Sequence, residues 1–301
     1  TATATATDAP QAAATLGRYR LLHKLAAGGM ATVYLAELRG RAGFERLVAI
    51  KSCHPHLQDD PDFVDMFLDE ARLAARIHHP NVVSILEVGE SKRGYYLVME
   101  YIEGDTLARL LARSAQAQAK LPVDVTVRIA LDTLAGLDAA HDLKDDHDQP
   151  LGVVHRDVSP QNILVSYDGD VKLIDFGNAL MVDDIPRISE LLARFYKAPD
   201  VLLGYSFDYG IDMWSAACSI FELYTGCILF NGRSDNEMVK QIMELRGGFT
   251  QRLLKKGLFV QDHFDMQTNL FLSVETDPIT REVVVREMPL GSFKPKDLGY
   301  K

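Results

Sequence analysis

Val153-Val-His-Arg-Asp-Val-Ser-Pro-Gln-Asn-Ile-Leu-Val165 is the stretch on which the reading of this chain turns. Valines open it and Ile163-Leu-Val165 closes it, so two short apolar strands hold a polar loop between them. A loop tethered at both ends presents its side chains in fixed places. Asp157 can accept a hydrogen bond from a hydroxyl and orient it, and Asn162 offers a neutral oxygen ligand to Mg²⁺. Shortly downstream, Val171-Lys-Leu-Ile-Asp-Phe-Gly177 puts Asp175 at the end of another apolar strand, followed by a glycine hinge. A carboxylate there can chelate Mg²⁺ that bridges phosphates.

Upstream lies a cation for the same chemistry. In Val48-Ala-Ile-Lys51 three apolar residues mark a buried strand, which directs Lys51 inward, where it needs an anionic partner. Glu70 sits in a helical pattern from about Asp62 to His78, with Phe63, Met66, Phe67, Ala71, Ala74 and Ala75 recurring at three and four. A Lys51–Glu70 link holds the lysine against the α- and β-phosphates of a nucleotide. Leu25-Ala-Ala-Gly-Gly-Met-Ala-Thr-Val-Tyr34 reads as a turn between strands whose glycines allow backbone N–H groups near phosphate oxygens. Taken alone, that stretch is a plain hairpin.

The wider pattern predicts strands at Tyr19–Leu25, Thr32–Leu38, Leu47–Ser52, Val82–Glu90 and Tyr95–Tyr101. After Gly104 helices take over, at Thr106–Arg113, Val123–His141, Ile211–Tyr224 and Asp235–Leu245. A β-rich small lobe joined to a helical large lobe predicts a cleft as the ligand site. The net charge of −10 argues against nucleic-acid and anionic-membrane binders. Three cysteines without paired spacing fit a reducing compartment, and no run reaches the roughly 18 to 20 apolar residues of a membrane span. Alanine falls from 26 in residues 1–180 to four in 181–301, marking a seam near Gly177 to Met181.

Together these motifs resemble the eukaryotic-type protein kinase superfamily over about residues 18 to 247. Residues 18–177 are similar to myxobacterial serine/threonine kinases. Residues 178–301 resemble the pre-mRNA-processing kinases of the CMGC group, on Arg194-Phe-Tyr-Lys-Ala-Pro-Asp200, Tyr209-Gly-Ile-Asp-Met-Trp214 and Leu223-Tyr-Thr-Gly226. The resemblance implies an α+β, bilobal kinase fold with a five-stranded N-lobe carrying one helix and a mainly helical C-lobe. Its parts are a disordered leader at 1–17, the N-lobe at 18–98, a hinge at 99–104 and the C-lobe at 105–301. Residues 248–301 are similar to the CMGC insert.

By the same resemblance Asp157, Lys51 and Glu70 are catalytic, and Asn162 and Asp175 bind Mg²⁺. ATP contacts fall to Ala26, Gly28, Val33, Ala49 and Lys51 on the small lobe. Met99 flanks the adenine, Glu100 and Ile102 supply hinge backbone, Asp105 sits near the ribose, and Leu164 completes the set. Asp212 braces the catalytic loop by accepting its backbone N–H groups. The implied partners are ATP and protein substrates, in the cytoplasm or, by the CMGC likeness, the nucleus.

Several positions depart from the family pattern. Ser159 stands where a lysine contacts the γ-phosphate, and Ala193 where a Ser or Thr bonds the catalytic aspartate. Asp200 replaces a glutamate that pairs with a late arginine. No long amphipathic helix follows Leu245, so the last large-lobe helices are expected to be missing, with apolar surface exposed around Trp214 and marginal stability. Glu190 falls where CMGC relatives carry a phosphorylated tyrosine; the favoured reading is an acid on an exposed loop, and the other is a fixed charge that replaces phosphate in part. His54-Pro-His56 and His78-His79 lack a convergent ligand set. The favoured reading is a protein kinase that transfers the γ-phosphoryl group of Mg·ATP to serine or threonine hydroxyls of proteins; the alternative is an ATP-binding pseudokinase or non-catalytic scaffold.

Overall fold

The computed structural model describes residues 15–40, 43–92, 94–182, 193–206, 208–276 and 280–296. The chain divides into two compact units, Thr1–Glu103 and Gly104–Lys301.

In the first unit, period-two alternation builds an antiparallel sheet from β1 (Thr15–Leu16), β2 (Tyr19–Ala27), β3 (Ala31–Arg39), β4 (Glu45–Cys53), β5 (Ile85–Ser91) and β6 (Gly94–Glu100). The strand order is β1-β2-β3-β4-β6-β5. One face packs Leu16, Tyr19, Ala36, Val48, Ile50, Tyr96 and Val98 together. The alternate residues Cys53 and Leu97 face helix α1 (Pro61–Ala74), which buries Phe63, Phe67 and Ala71 against them. Pro61 opens α1, and the Asp60 carboxylate caps it by accepting from the N–H groups of Asp62 and Phe63.

Three differences from the sequence expectation stand out. The sheet has six strands rather than five, because Thr15–Leu16 pairs with Tyr19–Arg20 across a turn in which Gly17 takes φ 54°. Leu16 is therefore core rather than leader; residues 1–14 of the expected leader lie outside the described residues. Helix α1 ends at Ala74 instead of His78, since the chain turns into His79-Pro80, and a residue before proline is pushed out of helical geometry. Val82 and Val83 are buried ahead of β5 without joining it.

The second unit begins with β7 (Gly104–Thr106), which pairs with β9 (Ile163–Ser166), itself paired with β10 (Val171–Leu173). A Cβ on Gly104 would meet the Val165 carbonyl oxygen at 2.1 Å, so only glycine fits this approach. Helices α2 (Leu107–Gln116), α3 (Val123–His141), α4 (Pro199–Leu203), α5 (Gly210–Thr225), α6 (Asp235–Arg246) and α7 (Gln251–Leu254) form most of the rest. The seam predicted near Gly177 to Met181 is bridged by pairing of β8 (Val153–Val154) with β11 (Leu180–Met181). Helix α5 is the centre of this unit, burying Ile211, Asp212, Ser215, Ala216, Cys218, Ser219 and Leu223. Trp214 on its outer side is half-buried and stacks on Phe230 at 5.7 Å. An open cavity of about 560 Å³ is lined chiefly by Trp214, Cys218, Leu229, Phe230 and Leu245. Beyond α7 the region read as an insert forms a hairpin of β12 (Phe271–Thr276) and β13 (Val283–Met288).

Candidate active site

In the first unit, β4 carries Lys51 opposite Val33 of β3 and Leu97 of β6, on the face that α1 covers. Glu70 lies on the buried side of α1. Alternation in the strand and periodicity in the helix therefore meet. Lys51 Nζ donates to Glu70 Oε1 at 2.6 Å and to Oε2 at 2.9 Å. Both side chains are largely desolvated, at 16% and 8% exposure, and the close pairing offsets part of the cost of burying each charge.

Ala26 and Val33 face each other across β2 and β3, and Ala49 pairs with Met99 across β4 and β6. Glu100 donates its N–H to the Ser84 carbonyl at 3.0 Å, while its carboxylate accepts the Ser84 N–H at 2.7 Å. Ile102 follows in non-regular backbone. Gly28 closes the β2–β3 turn by donating to the Ala31 carbonyl at 2.9 Å. A Cβ at Gly29 would meet nothing within 4 Å, and one at Gly28 only that carbonyl at 3.8 Å. The protein's own packing does not demand these glycines, and the open backbone suits a phosphate-bearing ligand.

The second unit assembles the loop around Asp157. Asp212, fully buried in the first turn of α5, accepts the N–H of His155 through Oδ2 and that of Arg156 through Oδ1, both at 2.7 Å. These are the loop N–H groups that the sequence reading gives it. His141 of α3 donates from Nε2 to Asp212 Oδ2 at 2.9 Å, a third bond that sequence spacing did not reveal. His155 extends the brace. Its Nε2 donates to the Ile174 carbonyl at 3.1 Å, its Nδ1 accepts the Asp157 N–H at 3.2 Å, and its ring packs on Phe176 at 4.6 Å. One buried imidazole thus ties the residues before Asp157 to those before and after Asp175.

Asn162 donates from Nδ2 to the Asp157 carbonyl at 2.9 Å and to Asp157 Oδ2 at 2.8 Å. Its backbone carbonyl accepts the Ile174 N–H at 2.9 Å. Burial pushes the Asp157 carboxyl above its ordinary range, with the Asp175 charge adding to this, against His155, Asn162 and the nearby Ala193 backbone. Asp157 Oδ1 is buried without a well-formed hydrogen bond among the described residues. The Ala193 backbone lies against the same carboxylate, and a substrate hydroxyl would give that oxygen a further donor. Ala193, beside it, offers no side-chain donor.

Both donors of the Asn162 amide point at Asp157, which leaves the amide oxygen as a neutral ligand. Asp175, at φ 63°, holds an exposed carboxylate whose Oδ1 takes the Gly177 N–H at 3.4 Å. An amide oxygen with a carboxylate is a donor set suited to Mg²⁺. Ser159 is buried and closes the turn to Asn162, its carbonyl accepting the Asn162 N–H at 2.9 Å. Asp105 of β7 is held by Arg109 at 3.4 Å and Arg113 at 3.8 Å, and Leu164 of β9 pairs with Thr106.

The paired histidines serve the backbone. His54 bonds Thr32 Oγ1 at 3.0 Å and the Gly29 carbonyl at 3.1 Å, and His79 accepts the Asn81 N–H at 3.1 Å. Glu190 lies outside the described residues. No helix among those described is long and apolar enough to cross a membrane.

Residues 19–273 match the protein kinase domain family. The chain is 39% identical over 231 residues to the tyrosine-protein kinase MasK of Myxococcus xanthus, covering 76% of this chain and 36% of that protein. It is 32% identical over 275 residues to a probable serine/threonine-protein kinase, CPE1738, of Clostridium perfringens, covering 90% and 37%. Over 148 residues it is 41% identical to the serine/threonine-protein kinase prp4 of Schizosaccharomyces pombe, covering 48% and 30%. The chain spans about a third of the length of each of these relatives. Similarity to bacterial kinases and to prp4 together agrees with the two affinities read from the motifs. By its family match and its bacterial relatives, this chain belongs to the protein kinase domain family.

Proposed function

We propose that the chain transfers the γ-phosphoryl group of Mg·ATP to serine or threonine hydroxyls of proteins. The observation that carries this is Asp157. Its carboxylate is anchored through Oδ2 by Asn162, while Oδ1 stays buried without a well-formed bond among the described residues. Such a group orients a substrate hydroxyl and accepts its proton as the phosphoryl group moves. Lys51, fixed by Glu70, binds the α- and β-phosphates. Asn162 and Asp175 would hold Mg²⁺, which would neutralise charge on the phosphate oxygens. Positioning and electrostatics supply most of the rate in this chemistry.

Serine/threonine specificity is favoured by the names of several relatives, such as CPE1738 and prp4, whereas MasK is named a tyrosine kinase. Incubation with labelled Mg·ATP and a generic basic protein, followed by phosphoamino-acid analysis, decides between them. Phosphoserine or phosphothreonine supports the proposal, and phosphotyrosine alone overturns the serine/threonine assignment. A second reading, an ATP-binding scaffold, draws on Ser159 and Ala193, which leave the loop without a lysine and Asp157 without a hydroxyl donor. ATP binding without any transfer would establish it.

A further inference from the structure

The outer strand of the β12–β13 hairpin takes no part in the proposed phosphoryl transfer. Its inner strand is firmly mounted. Phe271 and Ser273 are buried, and Asn236 of α6 clasps β12 by donating to the Leu272 carbonyl at 2.9 Å and accepting the Val274 N–H at 3.0 Å. Lys240 adds an ion pair to Glu275 at 2.7 Å. β13 runs outside β12 in unbroken register, from Phe271 opposite Met288 to Thr276 opposite Val283. Its other edge pairs with no described strand, and Val283, Val284 and Val285 are 66%, 38% and 54% exposed. A fixed, β-branched edge is a template for another strand.

The sequence of that edge selects its partner. In Glu282-Val-Val-Val-Arg286 an antiparallel two-fold about Val284 sets Val284 opposite itself and Val283 opposite Val285. It also sets Glu282 opposite Arg286 of the second copy, twice. A two-fold axis through an antiparallel ladder must centre on one residue. Centring on Val285 faces Val284 with Arg286 and Val283 with Glu287; centring on Val283 faces Glu282 with Val284. Centring on Arg286 opposes two guanidinium groups. Only the Val284 centre matches apolar with apolar and each charge with its opposite. Arg281 turns the chain away at φ 63°, so the ladder runs over residues 282–286.

We propose that β13 is an isologous dimerisation edge, on which a second copy of this chain adds its own β13 antiparallel about Val284. The result is a four-stranded sheet, β12-β13-β13-β12, shared by two molecules.

Analytical ultracentrifugation of the 301-residue chain over a concentration series tests this. The expected result is a concentration-dependent dimer. Glu282→Arg alone and Arg286→Glu alone each weaken it by about tenfold or more, while the double reversal restores much of the affinity because opposite charges again meet across the two-fold. Recovery is short of complete because Arg286→Glu also sets a second carboxylate beside Glu275, which Arg286 approaches at 3.6 Å. Cross-linking reads the register in a Cys227→Ser background, which removes the exposed thiol and leaves the buried Cys53 and Cys218. Directly opposite Cα atoms lie about 4.5–5.5 Å apart, within disulfide reach. Val284→Cys should therefore link to itself under mild oxidation. Val283→Cys and Val285→Cys should link when mixed and not alone. A monomer at every concentration through about 0.1 mM would overturn the proposal. So would a dimer unmoved by Glu282→Arg, or a double reversal no tighter than the single ones.

Discussion

Asn162 is bonded to Asp157 twice, donating from one amide nitrogen to the carboxylate Oδ2 at 2.8 Å and to the backbone carbonyl at 2.9 Å. The double contact fixes both the rotamer of Asp157 and the peptide that carries it. It also turns the Asn162 amide oxygen outward as a metal ligand. Replacing Asn162 by Ala removes both effects together. Transfer should fall by about 10²-fold or more, against a stability cost of only about 1–2 kcal/mol from the two lost bonds. Steady-state kinetics beside thermal melts separate the two quantities.

Ala193 leaves Asp157 Oδ1 without a side-chain donor. Ala193→Ser should supply one and raise the transfer rate, by roughly threefold to tenfold, because a better-oriented carboxylate needs less reorganisation as the hydroxyl reacts. An unchanged or lower rate, with folding intact, would show that the hydroxyl has no place here.

Lys51 and Glu70 are each poorly solvated and bond each other at 2.6 Å, so removing one takes a close opposite charge from the other. Lys51→Met should destabilise the first unit by about 3 kcal/mol. Combining it with Glu70→Leu should recover stability without recovering transfer. Chemical denaturation of both variants reads the first effect, and the transfer assay the second.

His263 is buried, and desolvation holds its imidazole below the ordinary value of 6.5, with the Leu202 backbone working against that. A histidine whose folded value is depressed leaves full stability above the unfolded value and loses it as pH falls through the folded one. Tm should therefore drop as pH falls below about 6.5. His263→Gln should flatten that slope while keeping an amide for Asn236 to bond. A slope identical in the variant would place the acid sensitivity elsewhere.

Much of this was legible in the sequence because it rests on short-range spacing. The loop from Val153 to Val165 is bounded by its own strands, and Val123–His141 runs between the bounds its apolar periodicity gives. Lys51 and Glu70 were readable as a pair because strand alternation and helix periodicity each aimed one charge inward. Contacts made through tertiary packing left no such trace. His141 and Asp212 are 71 residues apart, and nothing local marks either for the other. Thr15–Leu16 is too short for a pattern, so Leu16 looked like leader until the Gly17 turn folded it onto Tyr19. The Asn236 clasp on β12 was hidden likewise, because an amide on a helix face reads as solvated until a strand arrives beside it.

The most direct test of the central claim compares phosphate transfer from labelled Mg·ATP by the parent chain and by Asp157→Asn, with nucleotide affinity measured on both. Asn keeps the size and the contact with Asn162 but cannot take a proton. The account predicts transfer by the parent, a loss of about 10²-fold or more in the variant, and similar ATP affinity. Equal transfer by both proteins would contradict it.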